Sequence, residues 1–258
     1  MTKLNHIHPN AKIGENVTIS PYCFIDDNVE IQDGTWIGPN VTIFSGARIG
    51  KNCKIFPGAI ISGIPQDLKF KGEDTTAIIG DNTVIREFVT INRGTTYAQK
   101  TEVGSNCLLM AYVHIAHDCI LGNNIVLANN VNLAGHVQIH DHAIVEGMVG
   151  IQQFVHVGMH TFIGAMTLIR KSVPPFVKAA REPLSFIGVN AIGLRRRGFS
   201  EEKINDIKEI YRILFVKGLK FNLAIETIKN EIQNSEEKNM ILDFIDKFGQ
   251  NGLMKGLR

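Results

Sequence analysis

The chain has 258 residues, 44% of them hydrophobic, with 27 basic against 25 acidic side chains and a net charge of +2. That length allows one or two domains with a substantial core, and so balanced a charge names no partner. No run of 18 apolar residues and no apolar leader-like segment occurs, so neither a membrane span nor a signal peptide is expected, and the chain is expected in the cytoplasm.

The first and longest pattern is a six-residue repeat. Isoleucine recurs without a miss from Ile7 through Ile13, Ile19 and onward to Ile61. The same phase resumes at Ile79, Ile85 and Ile91, then runs from Val103 and Leu109 to Ile169. In all, 25 aliphatic residues share one phase. The position two before each is small or β-branched, as at Ala11, Val17, Cys23 and Val29. Alternation in a strand puts both on one face. The position three after is often Asn or Gly, as at Asn16, Asn28, Gly34 and Asn40, and these residues tolerate the positive φ of a tight corner. Each hexapeptide therefore predicts one short strand and one corner. Three make a triangular coil of 18 residues, and about eight coils stack at roughly 4.8 Å. The predicted fold is mainly β, a left-handed parallel β-helix over residues 1–184. Cys23, Cys53, Cys107 and Cys119 all take the inward small position, so they are expected as core residues.

Two insertions interrupt the repeat, at about 63–77 and 95–100, and both preserve its phase. Loops on a rigid scaffold often carry function. Pro174-Pro175 is expected to end the prism. The remainder, 185–258, reads as a C-terminal α-helical tail. Ser200 is a helix cap followed by Glu201 and Glu202, and Ile204, Ile207, Ile210, Tyr211, Leu214 and Phe215 have helical spacing. Two more helices are expected over 222–233 and 236–248.

Seven of the nine histidines fall between His114 and His160. The 18-residue coil places them relative to one another. His117 comes under Gly135 and Gln153, Asp118 under His136, and His142 under His160. His117 and Asp118 take corner positions, from which side chains reach outside the prism. His140, His142 and His160 read as solvated corner residues. A zinc site of the kind found in β-helix carbonic anhydrases would use a His-x4-His pair, and none occurs here. No metal is expected.

Against this background His114-Ile115-Ala116-His117-Asp118-Cys119, Leu127-Ala128-Asn129-Asn130 and Leu133-Ala134-Gly135-His136-Val137 resemble the UDP-N-acetylglucosamine acyltransferase family. Gln66-Asp67-Leu68-Lys69, Ile85-Arg86-Glu87, Asn92-Arg93-Gly94-Thr95, Gln153-Phe154, Val173-Pro174-Pro175 and Gly193-Leu194-Arg195-Arg196-Arg197-Gly198-Phe199 extend the resemblance in order over essentially the whole chain. It implies transfer of a 3-hydroxyacyl chain from acyl carrier protein to the 3-hydroxyl of UDP-N-acetylglucosamine, the first step of lipid A biosynthesis. By the same resemblance His117 is the general base, Asp118 orients it, and the Gly135 N–H faces the thioester oxygen. Asp67 and Lys69 contact the sugar nucleotide, and His114, His136 and Gln153 line the cleft. Asn190, Arg196 and Arg197 stand at the nucleotide end, contributed across a subunit interface. Ala165 matches the position that rules acyl-chain length. Family members are homotrimers with clefts between prisms.

The sequence departs from the family at Asn92 and Gln152, where His is usual, and at Ile192, where Glu is usual. These leave the base untouched and bear on the sugar and nucleotide contacts.

Neutral imidazole, with an ordinary pKa of about 6.5, suits general-base work near neutrality. No serine or cysteine is placed as a nucleophile, so direct transfer without a cofactor is expected. Residues 170–220 hold twelve basic against five acidic side chains, a surface suited to an acidic carrier protein. The same region lacks interleaved aromatics, which argues against nucleic acid. The competing readings are a related N-acyltransferase, a CoA-dependent acetyltransferase and a non-catalytic scaffold. The first normally carries an N-terminal globular domain, for which a repeat starting at Ile7 leaves no room.

Overall fold

The computed structural model describes residues 4–249 and 252–256. The hexapeptides form two- to four-residue strands that run in parallel along three sheets. The chain visits the sheets in turn. The first carries the strands from His6–Ile7 to Leu168–Ile169, and the second those from Lys12–Ile13 to His156–Val157. The third begins at Thr18–Ile19. Together they make a left-handed parallel β-helix with helices at its C-terminal end.

The repeat phase becomes strand register. Ile7 pairs with Ile25, Ile25 with Ile43 and Ile43 with Ile61, each 18 residues on. Ile49 to Ile79 spans 30 residues and Ile79 to Val103 spans 24, so the insertions add 12 and 6 residues and keep every aliphatic in line. From Ile25 onward these side chains are buried. Truncating one to alanine costs about 2–5 kcal/mol, because neighbours above and below cannot close the space. The four cysteines are free and buried. Burial pushes the Cys119 thiol up to about 12, and its Sγ donates to the Ala134 carbonyl at 3.2 Å.

The left-handed corner extends well beyond Asn and Gly. Phe88, Tyr112, Asp118, His136, Phe154 and Met166 all have φ between 57° and 64°. Inter-coil hydrogen bonds hold them there, such as His136 N–H to the His117 carbonyl at 3.1 Å. Three edges result. The first, between the first and second sheets, carries His117, Gly135 and Gln153. The second carries His142 and His160, and the third Tyr112, Met148 and Ala165.

The prism runs past Pro174-Pro175. Those prolines occupy a corner at the end of the second sheet, and the inter-coil bond of that corner is made by the next residue, Phe176 N–H to the Met159 carbonyl at 2.8 Å. Val177–Ala180 then pairs in parallel with the strand at Phe162–Ile163. An antiparallel strand at Ser185–Val189 and a parallel one at Lys255–Gly256 complete the third sheet. A short helix α1 (Ala191–Arg196), not expected from the sequence, follows Asn190 as its cap. It has too few residues and too central a glycine to show a period. α2 (Glu201–Phe215) buries Ile204, Ile207, Ile210 and Tyr211, and Ser200 caps it as expected. The Tyr211 hydroxyl donates to the Pro175 carbonyl at 2.5 Å, tying helix to prism. α3 (Phe221–Glu231) and α4 (Glu236–Phe248) lie within two residues of their expected bounds.

His160 is not a solvated corner and His140 is packed against the tail, whereas His142 does take a left-handed corner, with φ 62°, and is half-buried. His160 is 8% exposed and stacks on His142 at 4.7 Å and on Phe176 at 5.7 Å. His140 meets Phe244 of α4, and His156 stacks on Phe248 at 3.9 Å. The helical tail covers these rings, which the repeat could not foretell. Burial pulls both His156 and His160 down to about 4. They are neutral in the folded chain, whereas the unfolded chain takes up a proton near 6.5. Stability is therefore complete above about pH 6.5 and falls as pH drops toward 4, by roughly 2–3 kcal/mol for each group. The melting temperature is expected to drop over that window, and His156→Phe to flatten the drop. A pH-independent melt between 7 and 4.5 would contradict this.

Candidate active site

The first edge gathers a short stack of polar groups. His117 and Asp118 follow the strand His114–Ile115, and Gly135 and His136 occupy the same corner one coil later. A Cβ built on Gly135 would lie 2.6 Å from His117 Cε1 and 2.8 Å from Nε2, so only glycine lets the imidazole sit there. Phe154, a further coil on, stacks on His136 at 4.4 Å. Tyr97 of the second insertion meets His136 edge-on at 4.5 Å.

His117 Nδ1 lies 2.7 Å from Asp118 Oδ2. Asp118 is buried, and the second insertion closes over it. Its Oδ1 accepts from the backbone N–H of Thr95 at 2.9 Å and of Ala98 at 3.2 Å, and its Oδ2 from the Thr95 hydroxyl at 2.6 Å. Burial alone would raise the Asp118 carboxyl. The bonds from Thr95, His117 and Ala98 outweigh it and hold the group below the usual range. An ionised Asp118 fixes the imidazole proton on Nδ1 and leaves the Nε2 lone pair free. Among the described residues the Gly135 N–H meets no acceptor. A proton acceptor and an unengaged donor thus stand side by side.

Both open into a cleft of about 1200 Å³. The first insertion walls it with Asp67, Lys69 and Phe70, and the outer face of the first sheet makes its floor, including His114 and Leu168. His114 Nδ1 lies 2.7 Å from the Thr90 hydroxyl, and burial lowers the pKa of its ring. Desolvation likewise lowers His136. His117, Asp118 and His136 lie close enough together to suggest metal ligands. Asp118, however, already accepts four hydrogens, and His117 Nδ1 is committed to it, so neither group is free to turn toward an ion.

Seven of the expected site residues line this one cleft: Asp67, Lys69, His114, His117, Gly135, His136 and Gln153. Asp118 lies directly behind them. Asn190, Arg196 and Arg197 do not join them. Asn190 is buried, donates to the His160 carbonyl at 2.9 Å and caps α1. Arg197 reaches the His142 carbonyl at 3.3 Å, on the second edge, and Arg196 is exposed. Ala165 is exposed on the third edge. Phe154 was findable, since the 18-residue spacing puts it over His136. Thr95 and Tyr97 were not assigned, because an inserted loop has no address in the repeat.

A chain built of hexapeptide coils with a histidine–carboxylate pair at a corner belongs with the bacterial hexapeptide-repeat transferases, whose repeats match residues 28–63 and 100–135. The family described as Udp N-acetylglucosamine O-acyltransferase, Domain 2, matches residues 173–254. An acyl-[acyl-carrier-protein]–UDP-N-acetylglucosamine O-acyltransferase from Halorhodospira halophila is 41% identical over 98% of this chain and 100% of its own. The crystal structure of a UDP-N-acetylglucosamine acyltransferase from Bacteroides fragilis covers both chains completely, at 46% identity and a TM-score of 0.95. That of Francisella novicida covers 98% of this chain and 92% of its own, at 41% identity and a TM-score of 0.94. The chain belongs to the UDP-N-acetylglucosamine O-acyltransferase family.

Proposed function

We propose that this chain, as a member of that family, moves a 3-hydroxyacyl group from acyl carrier protein to the 3-hydroxyl of UDP-N-acetylglucosamine by direct transfer, with His117 as general base. The observation that carries this reading is the His117–Asp118 pair opening beside the free Gly135 N–H in one cleft. His117 Nε2 takes the sugar hydroxyl proton as the oxygen attacks the thioester carbonyl. The tetrahedral oxyanion forms against the Gly135 N–H, a fixed donor that needs no reorganisation. Collapse breaks the carbon–sulfur bond, and the leaving thiolate receives the proton held by His117. Asp118 stabilises the imidazolium between these steps. None of this requires a metal or bound cofactor. We place the reaction in the cytoplasm. Among the described residues no helix is long and apolar enough to cross a membrane.

Incubation with UDP-N-acetylglucosamine and 3-hydroxyacyl carrier protein is expected to give the O-acylated sugar nucleotide, and acetyl-CoA to give none. Turnover with acetyl-CoA alone, or with neither donor, would reject the reading.

We further propose a homotrimer. A row of exposed apolar side chains runs up the third edge, with Tyr22, Phe88, Tyr112, Met148 and Met166 each at least half exposed. Ala165 shares that edge, and Asn190, Arg196 and Arg197 stand away from the cleft, so a neighbouring chain is the source that would complete the site. Light scattering is expected to report three chains, and a fully active monomer would end this proposal. In that assembly Ala165 lies along the acyl groove. Ala165→Met is expected to shift preference toward shorter donors, since each excluded methylene forfeits about 0.8 kcal/mol of burial. An unchanged preference across a donor series would remove Ala165 as the ruler.

A further inference from the structure

Two histidines compete for one carboxylate oxygen in this site. His117 Nδ1 is 2.7 Å from Asp118 Oδ2, and His136 Nδ1 is 3.8 Å from the same atom. His136 Nδ1 is buried and, among the described residues, has no hydrogen-bond partner. The same oxygen also accepts from the Thr95 hydroxyl, at 2.6 Å. With His117 it gives Oδ2 two hydrogen bonds, as many as that oxygen has lone pairs, while the N–H groups of Thr95 and Ala98 do the same for Oδ1.

We propose that Thr95 is a positioning residue that commits Asp118 to His117 and denies it to His136. This rests on the reading of His117 as the base. The loop is built to hold the hydroxyl in place. The Thr95 carbonyl accepts from the Gln99 N–H at 2.8 Å, closing the loop into a single turn. Its leading end is pinned by Thr75, whose hydroxyl donates to the Gly94 carbonyl at 2.6 Å. Thr75 and Thr95 are both buried, and Tyr97 N–H donates back to the Thr95 hydroxyl oxygen at 3.2 Å. An insertion that only bridged two strands would need none of these bonds.

The consequence is a choice of base. The charged groups facing His136 are Asp118, His117 and, across the cleft, Asp67, with the Tyr97 and Phe154 rings on either side. Those facing His117 are Asp118 and His136. Removing the Thr95 hydroxyl frees a lone pair on Oδ2, and His136 Nδ1 stands 3.8 Å from that oxygen to take it. Asp118 then divides between two imidazoles. His117 loses its fixed tautomer for part of the time, and His136 gains a carboxylate that favours its charged form.

Thr95→Val keeps the shape and the backbone N–H but removes the hydroxyl, and Thr95→Ser restores it. A hydrogen bond to a charged group is worth about ten- to a hundredfold. The Val enzyme is expected to lose kcat by about that factor with little change in KM, and the Ser enzyme to stay near wild type. With histidines labelled for NMR, the His136 titration is expected to move up in the Val enzyme and not in the Ser enzyme. Unchanged kcat, or lowered kcat with an unmoved His136 titration, would overturn the proposal. Thr95→Ala serves where Val does not fold. Loss of the fold in both, beside a folded Ser enzyme, would overturn it in favour of a purely structural loop. His117→Ala separates the two readings. Retained turnover there rejects His117 as the base, whereas an inactive His117→Ala enzyme beside a normal Thr95→Val enzyme rejects only the role of Thr95.

Discussion

His117→Ala is expected to lower turnover at least a hundredfold and as much as ten-thousandfold, the range a positioned general base contributes. The fold should survive. His117 sits at a corner of the prism and not at an inward repeat position, so its loss opens no cavity among the aliphatics. Asp118 keeps three of its four hydrogen bonds, two from Thr95 and one from Ala98. The melting temperature and oligomeric state should therefore stay close to wild type. His114→Ala should hurt less, because His114 lines the cleft and pairs with Thr90 rather than with a carboxylate. Full turnover in a folded His117→Ala protein would refute the mechanism.

Gly135→Ala is expected to cost at least a hundredfold in kcat for a different reason. The backbone of Gly135 lies outside the left-handed region, so alanine is conformationally acceptable there. The N–H donor also remains. What changes is space, because the new methyl meets Cε1 of His117 at 2.6 Å and Nε2 at 2.8 Å. His117 cannot retreat toward Asp118 without shortening a 2.7 Å contact, so the ring must swing away from its working position. A displacement of about 1 Å at a reacting group costs on the order of a hundredfold. Binding of UDP-N-acetylglucosamine, measured by calorimetry, should change little beside that loss. A Gly135→Ala enzyme with normal kcat would show that the imidazole does not work from this place.

Much of this was legible because a solenoid turns sequence distance into spatial position. The 18-residue spacing alone sets Gly135 over His117, His136 over Asp118 and His160 over His142, and all three contacts are found. Legibility stops where the repeat stops. Thr95 lies in an insertion whose path depends on the Asp118 carboxylate it wraps. His140 and His156 look like surface residues until α4 lies across them, and nothing in the prism announces where a helix will dock. Pro174-Pro175 reads as a terminator, yet the inter-coil bond of its corner comes from the Phe176 N–H, which neither proline has to supply. The left-handed corners at Phe88 and Asp118 follow from their neighbours' register rather than from any preference of their own.

The triangular coil also decides which changes of chain length such a protein can survive. Loss of six residues between Cys119 and Ala134 would preserve every inward aliphatic and still disable the site. The chain would reach Gly135 one corner early, so the glycine and His136 would face the third edge while His117 stayed on the first. Loss of 18 residues from the coils before the first insertion would only shorten the prism by one layer, since each layer touches only its neighbours. Lineages of this protein should therefore differ in length by whole turns away from the cleft and hold the number of residues from His117 to Phe154 constant.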